Sequence, residues 1–270
     1  MQCKLGFIGA GNMAEAIARG VLSSGLFRPA EVIAADVSPV RRSLFADELK
    51  IRAVEEAMSV VTQSETLVLA VKPQHMPEML ASIRELLSEK HLIISIAAGI
   101  STHYLQQSLS PTLKLRIVRA MPNTPMLVGK GMVAVAAGAN ATAADIAMAQ
   151  RIFQCAASVV ELKEDQIDAV TAVSGSGPAY VFYLVEQMVQ AGIDLGLSPE
   201  VAHQLATQTA LGAAHMLVNS KDTPAELRRK VTSPGGTTQA AITHMEQNQF
   251  PSIVIDALKA ACNRSKELGK

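Results

Sequence analysis

The residue types able to do chemistry cluster in a few short loops. Gly9-Ala10-Gly11-Asn12-Met13-Ala14 has the form G-x-G-x-x-A. Gly9 suits a tight bend, Gly11 leaves the backbone open to a pyrophosphate, and Ala14 lets the following helix pack closely on its strand. N–H groups at that helix's start would face the phosphates. Asp36 stands 22 positions beyond Ala14, near the spacing of the acid that holds an adenine ribose. Two further loops, Ser174-Gly175-Ser176-Gly177-Pro178 and Ser233-Pro234-Gly235-Gly236-Thr237-Thr238, set hydroxyls and glycines ahead of helices. Such loops offer N–H groups and a helix dipole to an anion, and a substrate carboxylate is the natural guest. Serine, threonine and glycine also cap helices with no ligand involved, so it is their company with a dinucleotide turn that gives these loops meaning.

Neither loop contains a histidine, lysine or carboxylate. Alcohol oxidation wants a proton acceptor beside the hydroxyl. Reduction of a protonated imine asks for less, because the positive C=N already draws a hydride. The protein need only orient the ring and hydrogen-bond its nitrogen and carboxylate.

These loops need a scaffold, and the hydrophobic pattern supplies one. Leu5, Phe7 and Ile8 form an apolar run before the glycine turn, and Ala14, Ile17, Ala18, Val21 and Leu22 recur at helical spacing after it. Further strand-like runs are Val32–Ala35, Thr66–Val71, Leu92–Ile96, Leu115–Arg119, Met132–Val135 and Ser158–Glu161. Their alternation with helical stretches predicts an α/β fold, a Rossmann-type, doubly wound, mostly parallel sheet over residues 1–162. Ligands of such sheets bind beyond the carboxyl ends of the strands. The loops Lys72-Pro73-Gln74, Ala97-Ala98-Gly99 and Met121-Pro122-Asn123-Thr124-Pro125 are therefore its expected walls.

From residue 163 to 270 the β-branched runs vanish and the chain reads as an all-α dimerisation and substrate-binding domain. Asp165–Val173 reads as helix, Ser174–Pro178 as a break, and Ala179–Leu195 as a long apolar helix ended by Gly196. Ser198-Pro199 and the Thr223-Pro224-Ala225-Glu226 capping box open the next two. Gln239–Gln247 and Ser252–Leu268 are the last helices expected. Ala179–Leu195 is apolar nearly all round, which calls for burial on most faces. About a hundred helical residues would struggle to bury it alone, so a homodimer is expected, with a monomer built on a buried core as the alternative.

Composition narrows the functional classes. Lys+Arg and Asp+Glu balance at 24 each, which offers no basic surface for nucleic acid or an anionic membrane. The longest apolar stretches fall short of the roughly 18 residues of a membrane span, and polar residues interrupt any signal-peptide core. Three scattered cysteines suit a reducing compartment, so a cytoplasmic location is expected. No spacing of His, Cys, Asp and Glu predicts a metal site.

Six stretches together resemble the pyrroline-5-carboxylate reductase family: Gly6–Met13, Ala70–Gln74, Ser95–Gly99, Arg119–Pro125, Val173–Tyr180 and Thr232–Thr238. The resemblance covers the whole chain. It implies reduction of 1-pyrroline-5-carboxylate, a small cyclic imine carboxylate, to L-proline, with an active site shared between subunits and often a decamer of five dimers. Carried over by motif, Gly9, Ala10, Gly11, Asn12, Met13, Ala70, Val71, Lys72 and Pro73 contact the dinucleotide. Ala97 joins that wall, and Met121, Pro122 and Asn123 lie near the nicotinamide. Ser233, Gly235, Gly236 and Thr237 hold the substrate carboxylate, with Ser174 and Ser176 as further substrate contacts, and Thr238 hydrogen-bonds the pyrroline nitrogen.

The cofactor is NADPH or NADH. Asp36 opposes a 2′-phosphate, whereas Ser38, Arg41 and Arg42 could receive one, and the family resemblance leans the reading to NADPH. Two other readings stay in view. A β-hydroxyacid or 6-phosphogluconate-type dehydrogenase shares the plan but wants a lysine on the helix after its second-domain glycine loop, and Ala179–Leu195 has none. A non-catalytic dinucleotide sensor would leave Ser233–Thr238 idle.

Overall fold

The computed structural model describes residues 3–269. Eight strands form one sheet: β1 Cys3–Ile8, β2 Val32–Ala35, β3 Arg52–Val54, β4 Ser64–Leu69, β5 Leu92–Ser95, β6 Arg116–Met121, β7 Gly131–Ala137 and β8 Ala157–Glu161. Their order is β3-β2-β1-β4-β5-β6-β7-β8. All neighbours run parallel except β6 and β7. The expected Rossmann-type sheet is therefore present, and strand order reverses where β1 lies between β2 and β4.

The helices are α1 Asn12–Ser23, α2 Pro39–Ser43, α3 Ala57–Val61, α4 Met76–Ile83, α5 Thr102–Leu109, α6 Ala143–Gln154, α7 Ile167–Val170, α8 Gly177–Asp194, α9 Pro199–Asn219, α10 Pro224–Lys230, α11 Thr237–Gln247 and α12 Phe250–Leu268. Two compact units result. One runs to Pro178 and resumes at Ala261, and the other is Ala179–Ala260.

The period of two along each strand divides the core of the sheet unit into two layers. Leu5 and Phe7 of β1, with Val68 of β4 and Ile94 of β5, pack with Ile17 and Val21 of α1 and Phe153 of α6. Ile8, Leu67, Leu69 and Ile93 face the opposite way, onto Met76, Leu80 and Ile83 of α4 and Leu105 of α5. Each fully buried side chain of this size contributes roughly 1.5–3 kcal/mol from burial. Near-continuous apolar runs suit strands covered on both faces.

Two local readings change. Strand β3 is not foreseen, because three residues at the sheet edge, Arg52-Ala53-Val54, show too little alternation to stand out. The expected break at Ser174–Pro178 is closed. Thr171–Gly175 form one wide helical turn between α7 and α8, with the Ser176 N–H donating to the Thr171 carbonyl (2.8 Å) and the Ser174 hydroxyl to the Val170 carbonyl (3.2 Å). Backbone bonds five residues apart accommodate the extra residue without opening the helix.

In the unit Ala179–Ala260 the predicted punctuation is present. Gly196 has φ +97°, the Ser198 hydroxyl accepts from the Val201 N–H, and Thr223 and Glu226 form the reciprocal capping box. Yet Val181, Phe182 and Tyr183 of α8 are 53, 65 and 65% exposed. Among this unit's residues only Ala202 and Ala206 are buried apolar side chains. The single chain thus gives α8 no core, and the buried-core monomer fails.

Candidate functional site

The glycine turn sits at the carboxyl end of β1, at the reversal of strand order where open α/β sheets hold ligands. Gly9 has φ +98°, and a Cβ there would meet the Ala70 carbonyl at 2.8 Å. Only glycine fits, because β4 runs so close beside the turn. A Cβ on Gly11 would meet nothing within 4 Å, so this backbone faces open space. Gly11 caps α1 with no side-chain hydrogen bond, which leaves the N–H groups of the first helical turn for an anion. Ala14 is fully buried against the sheet. A cradle with an open glycine and an uncapped helix start fits a dinucleotide pyrophosphate.

The other predicted cofactor residues converge on the same sheet edge. Ala70, Val71, Lys72 and Pro73 follow β4, Ala97 follows β5, and Met121, Pro122 and Asn123 close β6. Asp36 lies at the end of β2, where its Oδ2 accepts from the Ala10 N–H at 2.7 Å and its Oδ1 from the Ser38 N–H at 2.8 Å. Ser38 caps α2 through the Arg41 N–H. Asn123 is buried, its Nδ2 donating to the Ser174 carbonyl (3.0 Å) and its Oδ1 accepting from the Met132 N–H (2.8 Å). That amide ties β6, β7 and the wide turn together, with the Met121 methyl beside Gly175. Ser174 therefore neighbours the β6 loop through its carbonyl, with its hydroxyl spent on the Val170 carbonyl, while Ser176 commits only its backbone N–H, to Thr171.

A ring of charge around the turn was not legible in the sequence. Arg41 donates its Nε to the Ala10 carbonyl (2.6 Å) and its Nη2 to Glu15 (2.8 Å), while Arg19 bridges Glu15 and Glu48. Burial works to raise the Glu15 pKa, but hydrogen bonds from Arg41 and Arg19, and then their charges, outweigh it and hold the carboxyl below its ordinary range. A second group lies at β6. Arg119, 4% exposed, stands 3.5 Å from both Glu164 and Asp168. Glu164 in turn accepts from the Thr102 N–H and hydroxyl, and Asp168 from the Ser265 hydroxyl. An arginine inside the apolar run Leu115–Met121 was the available signal, since a buried guanidinium demands carboxylates.

The second hydroxyl loop lies in the helical unit. Gly235 has φ +70°, the Gly236 N–H donates to the Ser233 carbonyl at 3.1 Å, and α11 starts at Thr237 without a side-chain cap. The expected start at Gln239 is therefore two residues late, since Thr237 and Thr238 already belong to the helix. The Gly235 N–H donates to the Gln239 Oε1 at 2.5 Å, so this side chain takes up one of the N–H groups expected to meet an anion. Ser233, Gly235 and Thr237 are exposed and Thr238 is half-buried. Among the described residues no cluster of His, Cys, Asp and Glu could hold a metal ion, and no helix is long and apolar enough to cross a membrane.

Residues 164–268 match the family model described as pyrroline-5-carboxylate reductase dimerisation, and residues 4–99 match one described as NADP oxidoreductase coenzyme F420-dependent. A pyrroline-5-carboxylate reductase of Synechocystis sp. is 41% identical over 270 residues, covering 100% of both chains. A pyrroline-5-carboxylate reductase structure from Coxiella burnetii superposes with TM-score 0.90 at 36% identity, covering 100% of both chains. One from Plasmodium falciparum, with NADP bound, gives 0.89 at 31% identity, covering 99% of this chain and 98% of that one. The two glycine-bearing cradles, the sheet that carries one of them and these full-length likenesses agree: the chain belongs to the pyrroline-5-carboxylate reductase family.

Proposed function

We propose that the chain reduces 1-pyrroline-5-carboxylate to L-proline, the last step of proline biosynthesis, with NAD(P)H as reductant. The observation that carries this reading is the full-length likeness to reductases of that name. When bound, the nicotinamide supplies a hydride to the imine carbon. The C=N π pair then stays on nitrogen, and the protonated imine becomes the secondary amine.

What the chain contributes is binding and orientation. Gly9–Met13, Asp36, Ser38, Ala70–Pro73, Ala97 and Met121–Asn123 hold the cofactor, the uncapped start of α1 facing its phosphates. Ser233, Gly235, Gly236 and Thr237 hold the substrate carboxylate, and the Gly235 N–H joins them once Gln239 turns aside. Ser174 and Ser176 complete the substrate contacts, acting through the wide turn that Asn123 fixes. The Thr238 hydroxyl hydrogen-bonds the pyrroline nitrogen.

The chain works as a homodimer through residues 163–270, with 1–162 as the cofactor domain. Exposed Val181, Phe182 and Tyr183 on α8 support a partner there, as does the dimerisation model over 164–268. A decamer of five dimers is the larger assembly suggested by the family. Three unpaired cysteines support a reducing, cytoplasmic setting. Following nicotinamide absorbance with pyrroline-5-carboxylate tests the activity. Oxidation of the cofactor with formation of proline is expected, and none with either cofactor would refute it.

A further inference from the structure

The end of β2 carries an unbalanced negative charge, and both nearby arginines are already committed. Arg41, 22% exposed at its side chain, is held by Glu15 and the Ala10 carbonyl. Arg42, 23% exposed, is held by Glu55 at 3.1 Å and by the Asp36 and Val37 carbonyls at 2.8 and 2.9 Å. Arg19 completes the group through Glu15 and Glu48. Three arginines thus meet three glutamates, and Asp36 is left over. Among the described residues no cation pairs with it.

We infer that this chain prefers NADH to NADPH, with Asp36 as the discriminating residue and Arg41 as a positioning residue that shapes the turn rather than a phosphate ligand. The inference rests on the reductase reading above and deepens it. Each Asp36 oxygen spends one lone pair on a backbone N–H and keeps another for a ribose hydroxyl. A 2′-phosphate in that place would set like charges together with no free guanidinium to separate them, because reaching it would require Arg41 or Arg42 to break an ion pair and release a carbonyl. Asp36 and Arg41 also grip the two peptide groups that flank the Ala10 Cα, one through the Ala10 N–H and the other through the Ala10 carbonyl, which holds the turn in its binding shape before any ligand arrives.

The test is direct binding by fluorescence titration of NADH and NADPH to the wild-type enzyme, Asp36→Asn and Asp36→Ser, beside steady-state kinetics with each cofactor. Wild type should bind NADH at least about tenfold more tightly, the size expected when like charges are juxtaposed at a partly exposed site. Asp36→Asn keeps one acceptor, for the Ala10 N–H, and removes the charge together with the acceptor for the Ser38 N–H. It should shift the preference toward NADPH by roughly tenfold, chiefly by tightening NADPH. Asp36→Ser should shift it in the same direction while weakening NADH. Wild type that binds NADPH as tightly as NADH overturns the inference, as does an unchanged ratio in a folded Asp36→Asn. The wild-type ratio decides the matter alone if both variants fail to fold. Turnover of pyrroline-5-carboxylate that favours NADPH sinks this inference and leaves the reductase reading standing, whereas binding of both cofactors without turnover sinks the reading instead.

Discussion

Thr238 and Gly9 show two ways in which one residue decides the outcome. Replacing Thr238 with Ala removes the proposed hydrogen bond to the pyrroline nitrogen, and kcat/KM should fall by roughly 10- to 1,000-fold. Thr238→Ser should recover most of it, and wild-type turnover in Thr238→Ala would remove the hydroxyl from the mechanism. Gly9 matters through shape. At φ +98° and 2.8 Å from the Ala70 carbonyl, a methyl group is both strained and blocked, so Gly9→Ala should destabilise the fold by roughly 2 kcal/mol or more, read as the denaturation midpoint. The G-x-G-x-x-A spacing made Gly9 legible in advance, because few backbones other than a tight turn ask for it. The ties of Asn123 to Ser174 and Met132, and of Gln239 to Gly235, were not legible, since they join residues whose approach depends on the folded backbone.

At the scale of elements, the strands and helices that pack on both faces of the sheet were readable from apolar runs and helical spacing. The parts that escaped were short or irregular. Strand β3 is three residues long, and the Thr171–Gly175 turn adds a residue without breaking the helix. Charged contacts between elements were equally hidden. Glu15 joins α1 to Arg41 of α2 and to Arg19 on its own helix. Its carboxyl titrates below its ordinary value of 4.5 when folded, so its contribution is complete above that pH and is lost as pH falls through the folded value. Glu15→Gln should therefore lower Tm at neutral pH, by an amount equivalent to roughly 1 kcal/mol. The gap between wild type and variant should close in acid. A gap constant from pH 7 to well below 4.5 would show that the charge of Glu15 is not what joins these helices.

At the scale of the molecule, the helical half makes sense only with a second copy. An apolar α8 with Phe182 and Tyr183 each 65% exposed has no stable place in water as a lone chain. Phe182→Glu should weaken the homodimer by roughly 2 kcal/mol or more, seen in sedimentation as a concentration-dependent shift toward monomer, and an unaltered dimer would place the interface elsewhere. Dimerisation was foreseeable because the apolar surface of Ala179–Leu195 exceeds what the remaining helices can cover. Hydride reduction of a cyclic imine is the chemistry that the two cradles and the dimer serve, and its most direct measurement is proline formed per cofactor consumed by purified enzyme given pyrroline-5-carboxylate and NADH or NADPH. One proline per cofactor oxidised is the predicted result, and no turnover with either cofactor by folded, dimeric protein would contradict it.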